Sequence, residues 1–369
     1  MNDKIKKFIK INIVTIIAFI LATITIFFVP IDKQYLYYID YKTIICLFLI
    51  SCIISAFKDI IFFYFVARNI IIRFNTLRKS YIALITITFV GSMIIANDMA
   101  LLTFLPLGYL VLKETNNEDK EAFVFIMQNV AANLGGMLTP FGNPQNLYIY
   151  TKYNIDNIDF MKIMSIPFIV AIVLLYLSSL FINNDKLTLR YQDIKTNPTK
   201  EKIYIVLFIL VILCVFRYIP LIVAIIIVPI VVCILDRQAF KSVDYSLLLT
   251  FVFFFIFSSN LARIDAVNIF FSNLLKHNIY LTTLLSCQFM SNVPTSILLS
   301  KFTNEYIPLL YGVNIGGLGS LIASLASLIT FRNYQSLNQG KTKSYLLLFT
   351  FINLIFIGVE TVFVYFLLK

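Results

Sequence analysis

Charged residues are scarce in this chain: Asp, Glu, Lys and Arg make up 13% of its 369 residues, against about 25% in ordinary soluble domains. The sequence also has no tryptophan and a single histidine, His277. One histidine leaves little basis for histidine-based proton relays or metal chemistry. The phosphate-binding pattern GxxxxGK followed by Ser or Thr does not occur. We therefore expect neither an enzyme nor an ATP-driven protein, and no cofactor.

The chain is instead rich in long apolar runs. Hydrophobic residues make up 60% of the chain, and they recur in runs from end to end. Such runs predict an all-α polytopic membrane protein, with room for about ten segments of ~20 residues. The net charge of +11 does not indicate a nucleic-acid partner, because the basic residues lie in loops between apolar runs. Membrane proteins concentrate Lys and Arg in their cytoplasmic loops.

The chain divides into two halves with the same order of elements. We predict a first repeat over 1–182, which includes an N-terminal helix, and a second repeat over 203–369. The polar stretch 183–202 is the predicted cytoplasmic linker between them. Most of the 30 Lys and Arg then lie on inner loops, which favours an N-terminus inside and a C-terminus outside. The layout has about nine full spans, and the second repeat is inverted relative to the first.

Each half contains one re-entrant hairpin and one broken helix. The apolar run 80–112 would form one helix of ~50 Å, too long for a ~30 Å hydrocarbon core, so we predict a hairpin. The first broken helix is predicted over 122–150. In the second half, the hairpin is predicted over 279–302 and the broken helix over 305–330. Gly and Pro interrupt both broken helices, and such breaks are tolerated in lipid only where they face protein or a water-filled cavity.

These interruptions predict a transport site halfway through the membrane. Helix N-termini exposed at a break favour anions, C-terminal carbonyls favour cations, and Asn side chains complete either shell. The alternative is that the Gly and Asn residues only permit close helix packing. The predicted ligand-binding residues are Asn97, Asp98, Thr103, Asn133, Gly135, Gly136, Gly142, Asn143, Asn146, Ser291, Asn292, Thr295, Asn314, Gly316, Gly317 and Ser320. Sodium is expected near Asn97, Asn133, Asn292 and Asn314.

Two acidic residues lie within apolar segments. Asp98, at the first hairpin tip, is a functional hypothesis because an acid inside the membrane is costly. It either binds a cation or a coupled proton, or it caps the second arm of the hairpin. Glu360 lies about two turns from the chain end, so we expect its side chain to reach the outer surface.

The ordered motifs resemble a known superfamily. The first tip, Ala96-Asn97-Asp98 through Pro106, resembles the tip of arsenite-efflux permeases. The first break, Asn133-Leu-Gly-Gly followed by Gly142-Asn143-Pro144-Gln-Asn146, resembles that of the wider ion transporter superfamily. That group includes citrate transporters, divalent-anion:sodium symporters and NhaD-type sodium/proton antiporters. The second-half motifs at 291–295 and 314–317 are similar to the second tip and break of the same group.

This resemblance implies a homodimer with a scaffold and an elevator-like moving part. It also places Asn97 and Asn292 near cation or substrate sites. We predict a secondary transporter of the cell (inner) membrane that moves a small anion, a carboxylate or arsenite, coupled to Na⁺ or H⁺. One alternative is a sodium/proton antiporter with Asp98 as the exchanging acid. A membrane-embedded lipid enzyme is another, and the scarcity of intramembrane acids and histidine disfavours it.

Overall fold

The computed structural model describes residues 12–186, 197–338 and 340–369, and within these ranges the protein is built from eighteen helices without a named strand. Short 3₁₀ turns connect some of them. In chain order the helices are α1 (Ile13–Ile26), α2 (Tyr41–Asp59), α3 (Phe62–Ile71), α4 (Leu77–Ile95), α5 (Asn97–Glu114), α6 (Glu121–Gly135), α7 (Pro144–Lys152), α8 (Asn157–Ser178), α9 (Pro198–Val215), α10 (Leu221–Leu235), α11 (Arg237–Lys241), α12 (Tyr245–Ala262), α13 (Asp265–His277), α14 (Ile279–Met290), α15 (Asn292–Leu299), α16 (Tyr306–Ile315), α17 (Leu325–Leu337) and α18 (Thr342–Leu367).

The predicted all-α polytopic class is confirmed. Five described stretches are long and apolar enough to cross a membrane: α2, α4, α8 with the turn that follows it, α12 and α18. Five shorter apolar helices accompany them, including α1, α14 and α16. The number of full spans and the membrane orientation stay predictions.

Helices α4 and α5 form the first predicted hairpin. The side chain of Gln128 on α6 donates to Thr88 Oγ1 at 3.3 Å and to Phe104 O at 3.0 Å. Thr88 and Phe104 each lie eight residues from Ala96, on opposite arms. Residues equidistant from the turn therefore lie at the same level, as they do in an antiparallel helical hairpin.

Both hairpins turn through one residue with the same unusual backbone. Ala96 has φ 64° and ψ 153°, and Ser291 has φ 72° and ψ 157°. The next residue is Asn in both cases, and its side-chain oxygen accepts the following backbone N–H at 2.9 Å (Asn97 to Asp98, Asn292 to Val293). The two tips therefore share one backbone geometry, as equivalent positions of the predicted repeat would.

The hairpin limits differ slightly from the predicted ones. The first hairpin runs from residue 77 to 114 instead of 80–112, because Thr76 caps α4 by accepting the N–H of Lys79. The helical arms of the second end at Leu299, three residues before the predicted limit of 302. Its arms of 12 and 8 residues are about 18 and 12 Å long, far too short to cross a ~30 Å core.

Both broken helices are present. The first consists of α6 and α7, which bracket residues 136–143, and the second of α16 and α17, which bracket residues 316–324. The second extends to Leu337, beyond the predicted limit of 330, because the chain after the break continues as a helix.

The predicted linker 183–202 is described only in part. Residues 187–196 lie outside the described part of the chain, and helix α9 already begins at Pro198. Asn197 caps this helix by accepting the N–H of Lys200, and Pro198 occupies the first helical position, where a missing N–H costs nothing.

The equivalent helices α2 and α12 run in opposite directions. On α1, Thr15 bonds Thr250 at 2.8 Å and Thr25 accepts from Asn260 at 3.1 Å, so α1 runs parallel to α12. Helix α2 follows α1 through a connection, residues 27–40, at the far end of that pair. It therefore returns antiparallel to α12.

The two hairpins likewise open toward opposite ends of α8, a helix about 33 Å long. At the C-terminal end of α8, Leu77 N donates to Asp185 O at 2.9 Å. Just before its N-terminal end, Tyr153 Oη donates to Thr303 O at 2.7 Å. An inverted repeat requires this arrangement.

An ion pair outside the spanning helices fixes the connection between α1 and α2. Arg263, which follows α12, donates to Asp32 Oδ2 at 2.7 Å and to Tyr38 Oη at 2.7 Å. The hydrogen bond from Arg263 holds the pKa of Asp32 below its usual range. The connection is thereby attached to the same end of the α1–α12 pair that Thr25 and Asn260 join.

The backbone at Ala96 gives a first testable prediction. A residue with a side chain in this almost glycine-only region is strained by roughly 1–3 kcal/mol, whereas glycine loses roughly 0.4–1 kcal/mol through its freer unfolded chain. We therefore expect Ala96→Gly to raise the midpoint of thermal unfolding in detergent. Ala100→Gly, within α5, is the control and should lower it, because glycine in a helix interior is destabilising by about 0.5–1 kcal/mol. Equal losses in both variants would contradict the argument.

Candidate functional site

A cavity of about 390 Å³ lies where the two halves meet. This volume is within the range of about 300–1,000 Å³ that small-molecule sites occupy. Both hairpin tips line it, together with the starts of the second halves of both broken helices. The lining residues from these four elements are Asn97, Asp98, Pro144, Gln145, Ser291, Asn292, Val293, Pro294, Ser324, Leu325 and Leu328.

Four helix N-termini therefore meet at this cavity. Helix α5 begins at Asn97, α7 at Pro144, α15 at Asn292 and α17 at Leu325. Each N-terminus carries roughly half a positive charge from the aligned peptide dipoles. Asn143, which precedes α7, makes no side-chain cap to that helix, whereas Ser324 caps α17 by accepting from Ser327 N. The geometry favours a bound anion.

Asparagine side chains behind the cavity join the two halves. Asn97 Nδ2 donates to Asn133 Oδ1 at 3.2 Å, which connects the first tip to the first break. Asn143 Nδ2 lies 3.3 Å from Asn133 O and 3.4 Å from Asn314 Oδ1. Asn314 Nδ2 in turn donates to Asn146 Oδ1 at 2.7 Å. All five residues are buried, so the predicted grouping of the two breaks is present in the structure.

The fourth asparagine of the prediction, Asn292, lies at the second break. Its backbone N–H donates to Ala323 O at 2.9 Å. A Cβ added to Gly317 would lie 2.9 Å from Asn292 Nδ2. The tip of each hairpin thus contacts the break of its own half.

Two amide side chains satisfy the carbonyl groups that the breaks leave free. Asn146 Nδ2 lies within 3.4 Å of the carbonyl oxygens of Gly136, Met137 and Thr139. Gln288, on the first arm of the second hairpin, takes the equivalent role in the other half. Its Nε2 donates to the carbonyl oxygens at 284, 316 and 318, and its Oε1 accepts from the backbone N–H at 320. Interrupted backbone in the membrane needs such partners.

Glycine is required where the first break approaches the first hairpin. A Cβ on Gly135 would lie 2.2 Å from Phe89 O and 2.5 Å from Ser92 Oγ. Within the break itself, a Cβ on Gly142 would lie 2.4 Å from Gly136 O. The close-packing interpretation of these glycines is therefore correct, and it is compatible with a site beside them.

Two carboxylates line the cavity, Asp98 at the first tip and Asp244 at the start of α12. Asp98 does not cap the hairpin arm as one interpretation predicted; Asn97 accepts the backbone N–H of Asp98 instead. Asp98 Oδ1 is buried and has no hydrogen-bond partner among the described residues. None of the residues that line the described cavity is a Lys or Arg. Any charge that side chains bring to the cavity is therefore negative.

Three unpartnered oxygens lie on this side of the molecule: Asp98 Oδ1, Asn143 Oδ1 and Gln145 Oε1. Carboxylate and amide oxygens are the ligands that hard cations prefer. The described residues hold no group of three or more His, Cys, Asp or Glu side chains suited to a metal ion. A cation here would depend on amide and backbone oxygens around a single carboxylate.

The predicted residues lie at the cavity, in or beside the breaks behind it, or away from both. Asn97, Asp98, Ser291 and Asn292 line the cavity. Asn133, Gly135, Gly136, Gly142, Asn143, Asn146, Asn314, Gly316 and Gly317 lie in the breaks behind it, and Ser320 at the second break bonds Gln288. Thr295 bonds the carbonyl of Ser291. Thr103 is not at the cavity: it donates to Met99 O and faces a separate space against α2 and α3.

Sequence reasoning missed Gln145, Gln288 and Ser324. Gln145 and Ser324 line the cavity, and Gln288 holds the second break. Gln145 lies inside the first Gly- and Pro-rich stretch, and Ser324 ends the second, so proximity to the motifs was an available signal. Gln288 precedes the break by 28 residues, and no local pattern indicates its role.

The cavity extends toward the ends of α1 and α12 at which these helices begin. Its lining includes Val14 and Thr15 in the first turn of α1 and Asp244 at the start of α12. On the opposite side, α7 and α15 contact each other. There Tyr148 Oη bonds Ser300 Oγ at 2.8 Å, and Lys152 donates to the same residue. Access from that side is closed by these contacts.

Comparison with known proteins gives consistent results. The sequence model of the citrate transporter family matches residues 5–306 of this chain. An uncharacterized transporter of Methanocaldococcus jannaschii is 39% identical over 297 residues, which cover 80% of this chain and 81% of the relative. The inner membrane protein YbiR of Escherichia coli is 29% identical over 320 residues, 83% of each chain. The predicted transporter class and multi-pass membrane location are confirmed, whereas the narrower likeness to arsenite permeases or NhaD-type antiporters stays a prediction.

The glycine contacts give a prediction with a control in the same protein. In Gly135→Ala the new methyl group would overlap the backbone oxygen of Phe89, and overpacking of this kind costs about 1–3 kcal/mol or more. Gly358 on α18 has no atom within 4 Å of an added Cβ. Gly358→Ala should therefore leave the unfolding temperature unchanged or raise it slightly. Monodispersity and thermal unfolding in detergent measure both, and a stable Gly135→Ala protein would refute the close approach.

Proposed function

This chain is a member of the citrate transporter family, and we propose that it moves a small anion across the membrane together with a cation. The observation that carries the proposal is the meeting of four helix N-termini at one cavity that lacks basic side chains among its described lining residues. Partial positive charge from peptide dipoles suits an anion that must also be released. A buried Lys or Arg would hold the same anion more tightly.

In this proposal a cation binds and crosses the membrane together with the anion. Asp98 supplies a carboxylate, and the amides of Asn97, Asn133, Asn292 and Asn314 supply oxygens near the tips and breaks. Sodium suits such oxygen ligands, and a proton needs only the carboxylate. Coupling to Na⁺ or H⁺ thus requires no further cofactor.

The proposed substrate class rests on the size of the cavity, the family and the sequence of the first tip. A cavity of about 390 Å³ suits a small solute, and membership of the citrate transporter family favours a carboxylate such as citrate. The first tip, Ala-Asn-Asp, departs from the Ser-Asn-Thr pattern that is typical of dicarboxylate carriers. Arsenite and small inorganic anions therefore stay in the proposal beside carboxylates.

Alternating access agrees with the position of the cavity relative to the helix ends. The cavity extends to the face at which α1 and α12 begin, whereas Tyr148, Lys152 and Ser300 close the other face. Under the predicted orientation the open face is cytoplasmic. An elevator-like movement of hairpins and broken helices against the remaining helices, within a homodimer, would expose the site to the other side.

A second candidate function is sodium/proton antiport with Asp98 as the exchanging acid. The observation that favours it is the unpartnered Oδ1 of Asp98 at the cavity, with Asp244 as a second carboxylate there. A carboxylate that alternately holds Na⁺ and H⁺ needs no anionic substrate. The two functions differ in whether cation movement depends on a co-transported anion.

The site assignment predicts a loss of transport in two alanine variants. Asn97→Ala and Asn292→Ala each remove the side chain that closes a hairpin tip, and a loss of about 1.4 kcal/mol weakens binding about tenfold. Uptake of labelled citrate, succinate, sulfate, phosphate and arsenite into proteoliposomes measures this. Asn273→Ala, at an exposed position of α13, is the control and should transport normally. Uptake at the control level in both tip variants would rule out the assignment.

The role of Asp98 is tested separately with Asp98→Asn, which keeps the shape and removes the charge. Under the anion proposal, the variant should lose the dependence of uptake on Na⁺ or pH. Under antiport, wild-type vesicles exchange Na⁺ for H⁺ without any added anion, and the variant does not. A pH-sensitive dye inside the vesicles distinguishes the cases. Full exchange by Asp98→Asn would eliminate antiport through this residue.

A further inference from the structure

Glu360 does not reach the membrane surface, contrary to the expectation from its position near the chain end. It is fully buried, on the one stripe of α18 that faces the protein. The stripe recurs every three or four residues, as a packed helix face does. Its members are Tyr345, Phe349, Ile352, Asn353, Phe356, Glu360 and Val364.

Neither carboxyl oxygen of Glu360 has a hydrogen-bond partner among the described residues. The nearest polar groups are engaged with each other: Tyr280 on α14 bonds Thr361 at 2.8 Å through its hydroxyl. The side chain is therefore enclosed by protein, without a bond to hold it as a carboxylate.

No cation faces Glu360 from the helices that pack on α18 in the described structure. Helices α14 and α16 carry no charged residue. On α8, Asp159 and Lys162 are exposed and lie 3.9 Å from each other. The charged residue of α6, Glu121, bonds Asn338 before the start of α18, about 27 Å along the helix from Glu360.

The two ends of α18 add no partner. Arg332 is exposed on α17, which packs against the first turn of α18 through Tyr334 and Tyr345. At the other end, Lys369 lies over the ring of Tyr365. An isolated carboxylate in such surroundings is unfavourable by several kcal/mol. In this conformation the carboxyl group is therefore in its neutral, protonated form.

Helix α18 also contacts both moving parts of the second half near Glu360. Asn353, two turns away on the same stripe, accepts the backbone N–H of Gly319 at 3.3 Å in the second break. Tyr280, bonded to Thr361, lies in the first turn of the second hairpin. A displacement of the break and hairpin relative to α18 changes the surroundings of this carboxyl group directly.

We propose that Glu360 is a proton-binding site whose occupancy alternates with the conformation of the second hairpin and break. The group holds a proton in the conformation described above and releases it when displacement of the hairpin admits water. The proposal deepens the transport function and rests on it, because it identifies a carrier of a coupled proton apart from Asp98. It follows the general rule that an acid buried in a membrane protein marks a proton or ion pathway.

Proton binding is tested on purified protein, without any transport. Infrared difference spectra between acidic and alkaline pH report the carbonyl band of protonated carboxylic acids. We expect Glu360→Gln to lose one such band, whereas Glu305→Gln, at an exposed position before α16, keeps it. The glutamine has the shape of the protonated acid, so the variant should fold normally. An unchanged spectrum in folded Glu360→Gln would overturn the proposal.

Transport measurements separate this proposal from the proposed function. Exchange of labelled for unlabelled anion at equal concentrations should continue in Glu360→Gln, because it needs no proton gradient. Accumulation driven by a pH gradient should be lost in this variant and kept in Glu305→Gln. Gradient-driven accumulation by Glu360→Gln at the wild-type rate would refute the coupling role. If wild-type protein moves no anion at all, the proposed function fails, and the infrared band still decides whether Glu360 binds a proton.

Discussion

The structure depends on one constraint: backbone groups freed at four helix interruptions must find partners inside the membrane. Side-chain amides meet this need. Asn146 and Gln288 each serve several carbonyls of a break, while Asn97 and Asn292 close the tips by accepting the next N–H. An amide donates and accepts without net charge, so it replaces water without adding an ion to the interior. The electrostatics of the site then depend on the helix ends and on the two carboxylates that line the cavity, Asp98 and Asp244.

The two halves share the same order of tips and breaks but differ in the residues at these positions. After the tip asparagine, the first half has Asp98 and the second has Val293, which carries no charge. At the break, the first half has Asn143 with an unpartnered Oδ1, and the second has Ser324, which caps its helix. The first half therefore offers unpartnered oxygens at the cavity and in the break behind it, whereas the break of the second half offers a capped helix start. An asymmetric pair of ligands, one cation and one anion, suits this division better than two identical ions.

The sequence predicts the skeleton well because its signals are local. Gly and Pro interrupt helices wherever they stand, so both breaks and their grouping with Asn133 and Asn314 follow from the repeated motifs. The hydrogen bond from Asp98 N to Asn97 Oδ1 depends on a side-chain rotamer, which spacing does not determine. The role of Gln288 depends on how the second hairpin docks against a break 28 residues later.

Glu360 shows a different limit of sequence reasoning. Helix α18 is apolar on nearly every side, so no amphipathic period reveals which face is buried. The short distance from Glu360 to the chain end then predicts an exposed side chain. In the structure, α18 instead packs this side chain against the rest of the molecule. The same reasoning succeeds at Asp98, because the adjacent Asn and the break in the apolar run mark a turn within the membrane.

Under the proposed function, the charge around the cavity favours coupled transport of an anion and a cation. The four helix N-termini of the tips and breaks contribute roughly half a positive charge each. Asp98 and Asp244, when ionised, oppose this positive potential. A bound anion then leaves net negative charge in a low-dielectric region, where two like charges about 4 Å apart repel by about 4 kcal/mol at an effective dielectric constant near 20. One cation, whether bound as Na⁺ or taken up as a proton on a carboxylate, restores neutrality. In the proposed function, the anion and the cation therefore favour each other's binding.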